Sequence, residues 1–105
     1  MSIQERYLDE LDRLVDRLRS MSLVRLAAEL PPFASRADAV RDLIAQVAVA
    51  ALLSEGLPER EVPRLGDESV GDQLAVIGRD LMSACHDEEV LLGFADRFKE
   101  LRLKL

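Results

Sequence analysis

Residues 35–56 read SRADAVRDLIAQVAVAALLSEG, and they decide the fold because a helical pattern runs unbroken between a start signal and a stop signal. Ser35 is a favoured N-cap residue, and Gly56 belongs to the residue type that most easily ends a helix. Between them, small and branched apolar residues share one helix face: Ala37, Val40, Ile44, Val47, Ala48 and Ala51. The stretch predicts a long helix over 35–55 that approaches its neighbours closely.

The opposite face of this helix changes character along its length. Helical geometry with 3.6 residues per turn puts five residues on one stripe: Asp38, Asp42, Gln46, Val49 and Leu53. A monomeric amphipathic helix keeps its polar stripe from end to end, but here the last two positions are apolar. We therefore expect a cover over Val49 and Leu53, supplied either by the linker that follows or by a second copy of the chain.

Besides residues 35–56, three more segments of the chain repeat apolar residues at helical spacing, and none of them alternates apolar and polar residues as a β-strand does. The predicted helices span 3–21, 35–55, 68–85 and 87–104, with a short helical extension near 23–29. Asp67 or Ser69 is the expected cap of the third main helix, and Asp87 that of the fourth. The sequence predicts an all-α, four-helix bundle-like single domain over 1–105, with the apolar second main helix at its centre.

Residues 56–66 contain two glycines and two prolines, which predicts a linker between the second and third main helices. We expect Leu57, Val62 and Leu65 to contact the core from this linker. If they fold back far enough, they cover Val49 and Leu53 within the chain.

The first helix carries two overlapping apolar stripes. The first contains Tyr7, Leu11, Leu14, Leu18 and Met21, and the second contains Leu8, Leu11, Val15 and Leu18. So wide an apolar surface indicates contacts with more than one neighbour. Together with the apolar end of the second main helix, it predicts an interface formed by Leu8, Leu11, Val15, Val49 and Leu53.

Composition restricts the partners and the compartment. The formal net charge of −6 disfavours duplex DNA and anionic membrane surfaces, which are themselves polyanions. The charged residues among 4–10 predict that no signal peptide is present, and the longest nearly apolar run, 43–53, is too short to span a bilayer. With one cysteine, no internal disulfide can form, so we expect a cytoplasmic protein. Twelve arginines against two lysines suggest a bacterial source.

One short segment, Cys85 to Glu89, gathers residue types that occur in metal and catalytic sites. Consecutive residues on a helix point about 100° apart, so the adjacency of Cys85 and His86 counts against a catalytic pair, and a zinc site would need distant carboxylates that the spacing does not identify. The segment instead fits the end of one helix and the capped start of the next. We expect no catalytic residues, no metal site and no cofactor.

Two alternative functions remain open at this stage. The spacing of apolar and turn residues in 57–74 fits a helix-turn-helix DNA-binding motif. Pro63 and the acidic second helix argue against that interpretation. A small helical enzyme could instead bind an anionic small molecule through polar residues such as Arg13, Arg17, Arg36, Arg41, Gln46 and Gln73. We favour a protein–protein interaction module without catalytic activity, which forms a homodimer and whose other protein partner is unknown.

Overall fold

The computed structural model describes all 105 residues and contains helices but no strand. The helices are α1 (Ile3–Arg19), α2 (Leu23–Ala27), α3 (Arg36–Ser54), α4 (Val70–Ala84) and α5 (Glu88–Lys104), and a single 3₁₀ turn (Asp67–Ser69) leads into α4. The predicted all-α class and the four main helices are confirmed. The first helix ends slightly earlier than predicted, and the short extension is the separate helix α2.

Side-chain caps set several helix starts as the sequence predicts. The Ser35 hydroxyl accepts a hydrogen bond from the amide of Asp38, and the Asp87 carboxylate accepts from the amides of Glu89 and Val90. These bonds satisfy amide groups that have no partner inside the helix. Ser69 occupies the N-cap position of α4 as predicted, but neither its side chain nor that of Asp67 makes a capping hydrogen bond.

Gly56 ends α3 as predicted, with a φ of +71° that favours glycine. Its amide donates to the carbonyl of Leu53, and the amide of Leu57 donates to the carbonyl of Leu52. This pair of bonds is a Schellman motif, which satisfies the last carbonyls of the helix and turns the chain away. The linker therefore leaves α3 at a fixed angle.

The packing corrects the predicted position of the apolar second main helix. α1 packs against both α4 and α5, and α4 packs against both α1 and α3, so α1 and α4 form the centre of the bundle. α3 packs mainly on α4 and contacts α5 only slightly. The long apolar pattern of α3 suggested a central helix, but its buried face is covered mainly by α4, with smaller contacts from α2 and α5.

The crossing of α1 and α4 depends on Gly78. A Cβ atom at this position would lie 2.7 Å from both Cδ atoms of Leu11, so the absence of a side chain permits the close approach. The buried Tyr7 hydroxyl donates a 2.6 Å hydrogen bond to the carbonyl of Gly78. The Tyr7 ring lies 5.4 Å from that of Phe98, which links this crossing to α5.

Residues 57–66 form the predicted linker and contain no helix. The first helix of the helix-turn-helix alternative is therefore absent, and Pro63, which would fall inside that helix, is consistent with its absence. Of the three residues expected to contact the core, only Val62 is partly buried against it, whereas Leu57 and Leu65 are exposed.

Candidate interaction surface

The apolar end of α3 lies at the surface. The side chain of Leu53 is 69% exposed, and Leu57 just beyond the helix is also exposed. Val49, one turn before Leu53, is half-buried beside linker residues Glu59 to Val62. The linker thus partly covers Val49 and leaves Leu53 open, so the cover expected from within the chain is incomplete. We call Val49, Leu53 and Leu57 the α3-end patch.

The candidate interface residues of α1 lie elsewhere. Leu11 is 0% exposed and Val15 is 3% exposed, and both belong to the central core cluster. Leu8 is half-buried and packs against that cluster. The two stripes of α1 face α4 and α5 of the same chain, so its wide apolar surface is used internally. The structure does not bring these residues together with Val49 and Leu53 on one accessible face.

A cleft of about 180 Å³ lies between α3 and α4, on the flank of α3 next to the α3-end patch. We call it the α3–α4 cleft. Its apolar lining consists of Ala48, Ala51, Leu52, Val62, Pro63 and Ile77. Its charged lining consists of Glu55, Arg60, Glu61 and Asp80. No ion pair or side-chain hydrogen bond of the chain includes these four charged groups.

A second cleft of about 170 Å³ lies on the other flank of α3, between the first half of α3, the last half of α5 and the loop that contains Phe33. Arg97 donates a 2.9 Å hydrogen bond across it to the side-chain carbonyl of Gln46, and the Arg97 guanidinium lies 4.8 Å from the centre of the Phe94 ring. Arg97 and Gln46 therefore satisfy part of each other's hydrogen-bonding capacity within this cleft.

A network of charged groups holds the end of the linker against α3. Arg41 donates to the carboxylates of Asp38 and Asp67, at 2.9 and 2.7 Å, and to the carbonyl of Leu65 at 2.8 Å. Its hydrogen bond lowers the pKa of the Asp38 carboxyl, with the nearby Arg64 adding to the effect against a smaller opposing contribution from burial. Burial acts to lower the pKa of Arg41, but the hydrogen bonds that it donates to the two carboxylates, with their negative charge, outweigh burial and raise that pKa.

The residue types that suggested chemistry have different surroundings. Cys85 is buried, His86 is exposed and Asp87 caps α5. No group of three or more histidine, cysteine or acidic residues is arranged to hold a metal ion. Burial, with a smaller contribution from Cys85, raises the pKa of the Tyr7 hydroxyl well above its usual range.

The arginines considered for an anionic ligand are similarly dispersed. Arg13 pairs with Asp9, and Arg17 and Arg36 bond to the main-chain carbonyls of Leu105 and Glu29. The α3–α4 cleft contains one arginine, Arg60, and the second cleft contains Arg97 and Lys104 together with the acidic Asp42 and Glu100.

Sequence reasoning found Leu53 but missed the α3–α4 cleft. Ala48, Leu52 and Glu55 share one flank of α3 at helical spacing, which is a usable signal. The position of the linker over that flank had no local signal, so Glu61 and Asp80 could not be assigned to the cleft. No helix of the chain combines the length and apolar character needed to cross a membrane. Comparison of the chain with protein-family models, curated proteins and solved structures finds no match.

Proposed function

We propose that this chain is a protein–protein interaction module that forms a homodimer through the α3-end patch. The observation that carries the proposal is the 69% exposure of Leu53 at the apolar end of a helix whose other exposed positions are polar apart from the small Ala45. Two-fold pairing is the commonest arrangement for soluble oligomers, and in such a dimer the patch of one copy covers the same patch of the other copy.

The size of the patch sets the expected strength of the dimer. Burying a whole leucine side chain stabilises by about 1.5–3 kcal/mol, so covering the exposed part of Leu53 contributes roughly 1–2 kcal/mol per copy. Association itself costs at least about 4 kcal/mol in lost freedom of motion. Burial of Val49 and Leu57 adds further stabilisation. The resulting free energy of association supports a weak, concentration-dependent dimer and not an obligate one.

The negative charges near the α3-end patch lead to a second expectation, which concerns the effect of salt on self-association. Glu55 follows Leu53 closely along the chain, and Glu59 lies beside Val49 in the linker. A two-fold axis through the patch brings these carboxylates of the two copies near one another. Salt shortens the range of this repulsion from about 10 Å at 0.1 M to about 3 Å at 1 M. Self-association should therefore strengthen as the salt concentration rises.

Sedimentation velocity across a concentration series tests the proposal. We expect the wild type to shift from monomer to dimer as concentration rises into the high micromolar range, and Leu53→Glu to remain monomeric with unchanged helicity. Leu103→Glu is the matched control, because Leu103 is 68% exposed. The control position is also distant from the patch. The residue after Leu103, Lys104, lines the second cleft together with Ala39, and Ala39 is about 20 Å from Leu53 along α3. A wild type that stays monomeric, or a control that dissociates equally, contradicts the proposal.

A further inference from the structure

We infer that the α3–α4 cleft is a docking site for a basic segment of another protein, whose arginine or lysine side chain enters the cleft. This role goes beyond self-association and uses the flank of α3 next to the α3-end patch. A module with both surfaces acts as an adaptor, in which each copy of the dimer presents one cleft.

The apolar lining of the cleft suits the stem of a long basic side chain. Ala48 and Ala51 on α3 are small, and Ile77 on α4 and Val62 in the linker form the opposite walls. The space between them is about 180 Å³. Arginine and lysine side chains bury their methylene groups along such surfaces while the charged head stays at the rim.

The rim supplies the charge that such a head needs. Glu55, Glu61 and Asp80 come from α3, the linker and α4, and with Arg60 they give the cleft lining a net charge of −2. The chain's ion pairs all lie outside this cleft, so its carboxylates are available to a partner. A carboxylate and a guanidinium or ammonium group form strong charge-assisted hydrogen bonds.

The spacing of the carboxylates favours a side chain over a metal ion. The three groups stand on three different elements and are not gathered closely enough to hold a metal. An arginine or lysine side chain is long and flexible enough to reach carboxylates that stand apart. Its methylene groups also contact the apolar walls of the cleft, which a metal ion cannot do. Because the whole chain carries a net charge of −6, long-range attraction also steers a basic segment towards it.

Fluorescence anisotropy with labelled peptides tests the inference on the full chain. The probes are a short amphipathic peptide with leucines on one face and arginines on the other, the same peptide with lysines, and the same peptide with glutamates. We expect saturable binding of the arginine and lysine peptides only, weakened by salt. Salt should therefore act on peptide binding and on self-association in opposite directions. No saturable binding of either basic peptide up to millimolar protein would overturn the inference.

Two variants locate the binding. Glu61→Gln with Asp80→Asn should weaken peptide binding about two- to fivefold for each carboxylate removed, the effect of an exposed ion pair. Glu88→Gln with Glu89→Gln is the matched control, because it removes the same charge from exposed positions of α5 outside the cleft. An equal loss in the control would show attraction to the overall charge alone and would overturn the inference.

A third variant tests the walls without changing charge. Ala48→Leu fills the cleft from a half-buried position, and it should abolish peptide binding while circular dichroism shows the helices retained. Unchanged binding by a folded Ala48→Leu protein contradicts docking in this cleft. Leu53→Glu separates this inference from the proposed function, because a monomeric Leu53→Glu protein should still bind the basic peptides.

Discussion

Two glycine-to-alanine substitutions test whether α1 and α4 cross as closely as the structure shows. Alanine is favoured over glycine inside a helix by about 1 kcal/mol, and Gly78 and Gly93 both lie inside helices, so this gain applies equally to both. The surroundings differ. A Cβ at Gly78 would lie 2.7 Å from the Leu11 Cδ atoms, whereas a Cβ at Gly93 would have no neighbour within 4 Å.

The expected effects follow from this difference. Leu11 is fully buried, so it cannot turn into solvent, and forcing a methyl group into a filled core costs about 1–3 kcal/mol. Any shift of the Gly78 backbone also strains its hydrogen bond from Tyr7. Gly93→Ala should therefore stabilise the protein by about 1 kcal/mol, and Gly78→Ala should be about 1–3 kcal/mol less stable than Gly93→Ala.

Thermal and urea unfolding followed by circular dichroism measures both variants. For a domain of about this size, 1 kcal/mol corresponds to roughly 4–8 °C in melting temperature. Equal stability of the two alanine variants would refute the close crossing of α1 and α4 at Gly78, because helix propensity alone would then account for both.

Two further predictions concern the charged network at the end of the linker. Arg41→Met should lower the free energy of unfolding by about 1–3 kcal/mol in urea titrations, because two carboxylates and one carbonyl lose their donor. Arg64→Met, an exposed position with one bond of 3.3 Å to Asp38, should cost under about 1 kcal/mol; an equal loss would contradict the assigned roles. Because folding lowers the pKa of Asp38, its contribution is complete above the unfolded pKa of about 4 and is lost as pH falls through the lower folded value. The stability difference between wild type and Arg41→Met should therefore shrink below about pH 4, and a difference that grows there contradicts the network.

Local interactions made the helices and several of their ends predictable. Ser35, Asp87 and Gly56 act on their own backbone within a few residues, and the structure shows each in its predicted role. At the start of α4, Ser69 is the N-cap residue, but the residue type did not predict whether a side-chain capping bond forms. Asp67 has the right residue type, but its carboxylate is used by Arg41 from a distant part of the chain.

Relations between elements were harder to predict. The two stripes of α1 indicated surplus apolar surface, yet Leu11 and Val15 are buried because α1 packs against both α4 and α5. The apolar pattern of α3 could not show that α1 and α4, instead of α3, form the centre. The linker forms one side of the α3–α4 cleft. Its contacts with the rest of the chain include the bond from Arg41 to the carbonyl of Leu65 and the packing of Val62 on the core, and no periodicity encodes either.

The central claim is that the exposed apolar end of α3 is an interface, and the most direct test combines two substitutions in that patch. Sedimentation velocity at high micromolar concentration should show a dimer for the wild type and a monomer for Val49→Glu with Leu53→Glu, while circular dichroism shows the helices of both. A wild type that sediments as a monomer at that concentration, or a folded double variant that remains dimeric, would contradict the claim.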